Sequence, residues 1–196
     1  MNKALPVLFV LLGGCAGTVH HDYNYAKEPD PRRSEYVIGV ADQLSIGIYR
    51  YPELSREVTV RPDGTITIPL IGDLTADGQT PSQLKAEVIR QLAKYVRDAD
   101  AVVTVAVTAV HSYSFTVSGA VEHPGVYRSN KYVTVLEALQ LAGGPNRFAS
   151  PRETQIMRRD KQGQLRIIPI DYQAVLDGSR PEANLALLAG DQIYVP

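Results

Sequence analysis

Tryptophan is absent from this 196-residue chain, and phenylalanine and methionine are scarce, at three and two copies. Large apolar anchors are therefore few. The aromatic content rests on eleven tyrosines, apolar along the ring and polar at the tip. Cysteine occurs once, at Cys15, so no intramolecular disulfide can hold the fold together. An excess of one charge is also missing: twenty basic residues against twenty-one acidic ones leave a formal net charge of -1. No basic stripe is available to neutralise phosphates, which removes the electrostatic case for a nucleic-acid partner. Nucleophile elbow, phosphate loop, dinucleotide fingerprint and His-Glu zinc motif are all lacking, so no catalytic, cofactor-binding or metal-binding residues are assigned and the chain is not read as an enzyme.

Long hydrophobic runs are lacking as well. Ala4 to Leu12 is apolar, but it falls short of the roughly 20 residues that cross a bilayer. Behind the positive Lys3 it has the build of a signal-peptide core, followed by Leu12-Gly-Gly-Cys15. This arrangement resembles a bacterial lipobox. The resemblance implies a lipoprotein signal peptide over residues 1–14, with Cys15 diacylated, left as the new N-terminus and acylated again. Each buried methylene contributes about 0.8 kcal/mol and stable attachment takes two anchoring signals, a condition a triacylated cysteine meets. Ala16 stands where an aspartate would favour retention at the inner membrane, so the resemblance places the anchor at the periplasmic face of the outer membrane. Residues 15–35 are polar and without apolar periodicity, and read as a tether. His20-His21 lies there, two adjacent imidazoles with no further ligand nearby.

Residues 36–110 form a first unit. Leu44 to Tyr49, Glu57 to Val60 and Thr65 to Ile68 alternate as half-buried strands do, the last two joined by Arg61-Pro-Asp-Gly64. Ile71 to Leu74 adds a short extended piece. Thr80-Pro-Ser-Gln83 is a capping box that opens a helix, on which Leu84, Val88, Leu92 and Val96 make one apolar stripe. Lys94 and Arg97 suit its last turn. Ala101 to Val110 is a Val-rich strand, long enough to be central in a sheet.

Residues 113–196 form a second unit, organised around Val117-Ser-Gly-Ala-Val-Glu-His-Pro-Gly-Val-Tyr127. A β-rich run enters a bend at Gly119 and leaves through Pro124-Gly125, where proline presets φ and glycine supplies the positive φ of a type II turn. Thr134-Val-Leu-Glu137 is a second capping box. Its helix turns Val135, Leu136, Leu139 and Ala142 inward and ends at Gly143-Gly144-Pro145. Strands follow over Glu153 to Arg159 and Leu165 to Ile170, then a short helix capped by Asp171 and stopped by Gly178. Leu188 to Pro196 closes the chain as a strand. Asp191-Gln-Ile193 faintly echoes Asp42-Gln-Leu44, though Asp-Gln is a common way to enter a strand.

Tyr36-Val-Ile-Gly39, Asp42-Gln-Leu44, Val60-Arg-Pro-Asp-Gly64, Ile68-Pro-Leu-Ile-Gly72 and Gly78-Gln-Thr80 together resemble the polysaccharide-export domain of the outer-membrane polysaccharide export family. The central loop with Ala142-Gly-Gly-Pro145 resembles that family's soluble-ligand-binding β-grasp (SLBB) module. One departure is Gly39-Val-Ala-Asp42, where the family has Gly-Pro-Gly before the aspartate; it bears on the local turn. The fold class expected is α+β: a small β-rich domain followed by a β-grasp-like module, without a transmembrane helix once the signal peptide is removed. The resemblance implies a ring-forming homo-oligomer that conducts exopolysaccharide or capsule polymer from an inner-membrane copolymerase or chain-length regulator to the outside. Longer members add further modules and a terminal amphipathic helix; none follows Pro196 here. The expectation is thus a short member that works with a separate outer-membrane β-barrel.

Other readings belong beside this one. Tyr49, Tyr51, Tyr113, Tyr127 and Tyr132 offer flat faces to a glycan, or else simply cover sheet edges and subunit contacts. A lipid-anchored β-grasp binder of a glycan or small ligand, without a transport role, is the alternative from another class. Glu122 beside His123 is a conceivable acid-base pair, but neighbours in a turn usually point apart. Asp63, Asp73, Asp77 and Asp191 sit close to Gly or Pro, as turn-forming carboxylates do.

Overall fold

The computed structural model describes residues 23–95, 102–160 and 162–196. Cys15, the signal segment, His20-His21, Val96 and Arg97 lie outside them. The described residues make an α+β fold with two hydrophobic cores, one for each unit.

In the first unit, strand β1 (Gln43–Ile48) lies between β2 (Arg56–Thr59) and β5 (Val103–Ala109), antiparallel to both. Leu44, Ile46 and Ile48 alternate inward. They meet Leu84, Val88 and Leu92 of helix α1 (Pro81–Leu92), the first three residues of the expected stripe. Each such fully buried side chain contributes roughly 2 kcal/mol. The capping box is formed: the Gln83 amide donates to Thr80 Oγ1 and the Thr80 amide to Gln83 Oε1, at 3.3 and 2.9 Å.

One expectation changes here, the place of the Val-rich strand. Arg61-Pro-Asp-Gly64 does turn the chain, the Gly64 amide bonding to the Arg61 carbonyl at 2.9 Å. The strands it joins, however, enter different sheets: β3 (Thr65–Ile68) pairs with β4 (Gly72–Thr75) as a separate ribbon. Ile66, Ile68 and Leu74 of that ribbon are buried in the same core as β1 and α1. The Val-rich strand β5 is an edge and not the centre. Its burial alternates along its length, as for a strand covered on one face.

The second unit is a five-stranded sheet in the order β7 (Gly125–Arg128), β6 (Ser114–Gly119), β10 (Gln192–Val195), β8 (Thr154–Arg159), β9 (Leu165–Ile170). Strands β6 and β10 run parallel; the other neighbours are antiparallel. Helix α2 (Val135–Leu141) contributes Val135, Ala138 and Leu139 to a core built on Phe115, Val117, Ile156, Ile168, Ile193 and Val195. Asp171 caps α3 (Tyr172–Leu176) by accepting the Ala174 amide at 2.9 Å.

The tether reading of residues 15–35 needs correcting from Tyr23 onward. Residues 23–33 are seated on the second unit in two short 3-10 turns, with Tyr25 buried in its core and the Tyr25 hydroxyl donating to the Pro169 carbonyl at 2.8 Å. Without periodicity the segment carries one local signal of order, Asp30-Pro31, whose carboxylate accepts the Arg32 amide at 3.1 Å; what seats it on the second unit are partners far along the chain.

Candidate functional site

The central loop and the end of α2 form one structure. The Glu122 amide donates to the Gly144 carbonyl at 3.1 Å and the His123 amide to the Ala142 carbonyl at 2.9 Å. Carbonyls at a helix C-terminus have no partner within the helix, so the loop caps α2 with its own backbone. Val121 bridges to Pro145, and the Asn146 amide returns to the Ala120 carbonyl at 3.0 Å. On its other side the Ala120 amide bonds to the Val195 carbonyl at 2.7 Å.

Two glycines make this approach possible. A Cβ at Gly119 (φ 89°) would lie 2.0 Å from the Val195 carbonyl oxygen. One at Gly143 (φ 79°) would meet His123 Nδ1 at 2.7 Å and Glu122 Cβ at 2.9 Å. Gly119, not Gly125, takes the positive φ, so the type II turn expected at Pro124-Gly125 is not formed. Gly125 is instead the first residue of β7, because the loop is closed by strand β10 and helix α2 and not by a bond across the turn. Glu122 to Val126 are left as an exposed rim. The backbones of Glu122 and His123 are both engaged in holding the helix end.

The tyrosines largely pack on one another. Tyr36, Tyr132, Tyr113, Phe115 and Tyr127 form a row, with successive ring centroids 6.3, 5.1, 6.2 and 5.8 Å apart. The Tyr113 hydroxyl donates to the Leu187 carbonyl and accepts the Val133 amide, both at 3.2 Å, and burial pushes its pKa up. Tyr127 donates to the His123 carbonyl at 2.5 Å, joining the row to the central loop. Tyr51 packs partly into the first core. Of the five tyrosines singled out for glycan contact, Tyr49 stands clear, 64% exposed with the Arg50 guanidinium 5.7 Å from its ring centre.

Where the units meet, the buried carboxylate of Asp42 gathers the chain. It accepts the amides of Gly39, His111 and Ser112 at 2.9, 2.8 and 2.8 Å and the Tyr36 hydroxyl at 2.6 Å. Burial alone would raise its pKa. The bond from Tyr36 and those from the three amides outweigh burial and hold the carboxyl below its ordinary value. A cleft of about 770 Å³ opens beside it, lined by Tyr36, Val37, Val40, Asp77, Tyr132 and Leu188 among others.

Asp191 repeats this turn in the second unit. Each aspartate accepts the amide three residues earlier, from Gly39 or Leu188, and returns its own amide to the same residue's carbonyl. Each follows a residue in the left-handed region, Ala41 at φ 73° and Gly190 at φ 83°. Asp63 and Asp73 are exposed and serve the Arg61 turn, Asp63 accepting the Thr65 amide at 3.1 Å and Asp73 pairing with Arg61 at 3.3 Å.

A second charged cluster has no signature in the sequence. Glu28, Arg158 and Asp191 are all buried, and Arg158 pairs with the other two at 3.0 and 2.6 Å. Arg166 adds a bond to Glu28 at 2.6 Å. Among the described residues no group of His, Cys, Asp or Glu is placed to hold a metal ion, and no helix is long and apolar enough to cross a membrane.

Comparison with known proteins agrees with this two-unit layout. Residues 30–108 match the family model described as Polysaccharide biosynthesis/export protein, and residues 114–169 match the SLBB domain. The SLBB match ends before β10, although that strand fills the middle of the sheet. The EPS I polysaccharide export outer membrane protein EpsA of Ralstonia nicotianae is 28% identical over 189 residues, covering 84% of this chain and 48% of the relative. The Exopolysaccharide production protein ExoF of Rhizobium meliloti is 30% identical over 59% of this chain and 30% of its own length. The Capsule polysaccharide export protein BexD of Haemophilus influenzae is 24% identical over 68% of this chain and 32% of its own. The chain thus spans less than half the length of each of these relatives. With an export domain followed directly by an SLBB domain, and with relatives named for export or production of extracellular polysaccharide, this chain belongs to the polysaccharide export protein family.

Proposed function

We propose that this chain is a component of a conduit that exports exopolysaccharide or capsule polymer across the cell envelope, held by lipid at Cys15 to the periplasmic face of the outer membrane and assembled as a ring of identical subunits. The observation that carries the reading is the order of the two matched domains, joined to the alignment with a polysaccharide export outer membrane protein over 84% of this chain. Assembly is supported by the edges. β2 and β5 border the first sheet and β7 and β9 the second, and open strand edges are sites at which another chain can add. Each unit is also small enough that burial against a neighbour would stabilise it appreciably. An inner-membrane polysaccharide copolymerase or chain-length regulator would deliver the polymer. The role is transport, without turnover of the glycan.

The test compares surface polymer with polymer retained in the periplasm in a strain lacking this chain. Surface polymer should fall, and return with the intact chain but not with Cys15→Ser. Unchanged surface polymer in the absence of a redundant copy would sink the export reading.

A further inference from the structure

Strands β8 and β9 set Arg158 directly opposite Arg166. Like charges facing across an antiparallel pair repel, so this arrangement needs an anion between them. The anion is Glu28. One carboxylate oxygen accepts Arg158 Nη1 at 3.0 Å; the other accepts Arg166 Nη2 and the Tyr23 hydroxyl, each at 2.6 Å. Asp191 fixes the far side of Arg158 through its Nε and Nη2, at 2.9 and 2.6 Å. The side chains of Glu28, Arg158 and Asp191 are 1, 3 and 2% exposed. The guest and its host lie some 130 positions apart in the chain. The host strands are complete without the guest, since the β8–β9 register runs from Thr154↔Ile170 to Arg159↔Leu165.

We infer that residues 23–33 are a detachable strap and that Glu28 is its latch, a carboxylate held between two opposed arginines of the second unit. The strap sets the leash between anchor and body. At about 3.3–3.6 Å per extended residue, docking keeps the second unit within roughly 28 Å of Cys15. Release puts the first constraint at Glu35, which accepts the Ser82 amide at 2.9 Å, extending the reach to roughly 70 Å. The docked strap also joins the anchor segment to the second unit first, although the first unit comes earlier in the chain. This consequence rests on the anchored reading; the latch itself does not.

The experiment is hydrogen exchange by mass spectrometry on the full chain purified in detergent, comparing wild type with Glu28→Gln and with Arg166→Gln. Glu28→Gln should speed exchange over residues 23–33 at least tenfold, while β6, β8 and β10 keep their protection. Arg166→Gln should do the same to a smaller degree, because Arg158 still holds the carboxylate. Unchanged exchange over 23–33 in Glu28→Gln overturns the latch. Joint loss of protection in the strap and in β8 overturns it too, by making Glu28 part of the core and not a catch. No polysaccharide enters the assay, so its outcome is separate from that of the export test.

Discussion

Ala41 occupies a backbone conformation that glycine tolerates and L side chains resist, at φ 73°. Gly190 fills the equivalent place before Asp191, without the Cβ. Ala41→Gly should therefore raise the stability of the first unit by roughly 1 kcal/mol, the relieved strain exceeding the added freedom of the unfolded chain. The denaturation midpoint is the measurement, and an unchanged or lower midpoint would show that Ala41 is unstrained. At Asp42 the expectation is a loss. Asp42→Asn keeps one acceptor oxygen but not the charge, and should destabilise by about 2 kcal/mol near neutrality. Because folding lowers the pKa of Asp42 below its ordinary 3.8, its contribution is complete above that value and is lost as pH falls through the lower folded one. The gap between variant and wild type should thus close below about pH 4. The departure at Gly39-Val-Ala-Asp42 was visible in the sequence, and so was the three-residue echo at Asp191. That both mark the same turn was not, since the turn is defined by a φ value and by amides that carry no side-chain signature. Glu28 was beyond reach altogether: one acid among several in a polar stretch reads as solvated until its arginines are known.

Helix starts were the most legible elements. A capping box is a local device, four residues that satisfy each other's backbone, and both boxes form as read. Thr80→Ala and Thr134→Ala should each cost about 1 kcal/mol, seen as a lowered midpoint of the unit concerned. Strand pairing was less legible. The turn at Arg61-Pro-Asp-Gly64 was evident, yet which sheet β3 joins depends on α1 and β4, and alternation within β5 does not reveal whether it is an edge. The central loop and the Ala142-Gly-Gly-Pro145 stretch could be recognised as belonging to one module. Their physical connection, loop amides on helix carbonyls over a glycine that leaves room for His123, emerges only in three dimensions. Gly143→Ala should accordingly destabilise the second unit by roughly 2 kcal/mol or more, the strain of a non-glycine φ adding to the displaced ring. Preserved stability there would mean that the loop is not seated on the helix end.

Over the whole molecule, the two cores are separate while the junction at Asp42 and the strap tie the units together. Gly119→Ala tests how far the units stand alone. Its Cβ would collide with backbone and not with a flexible side chain, so the second sheet must open. We expect the β6–β10 amides to lose protection against exchange while β1 and β5 retain theirs; equal loss in both units would make the molecule one cooperative block. The position of β10 has a further consequence, in time and not in space. It lies between β6 and β8, so neither of those strands has its inner neighbour until residues 192–195 are available. A chain made from its N-terminus can complete the first sheet once residue 109 has emerged, but must keep the second open until residues 192–195 follow.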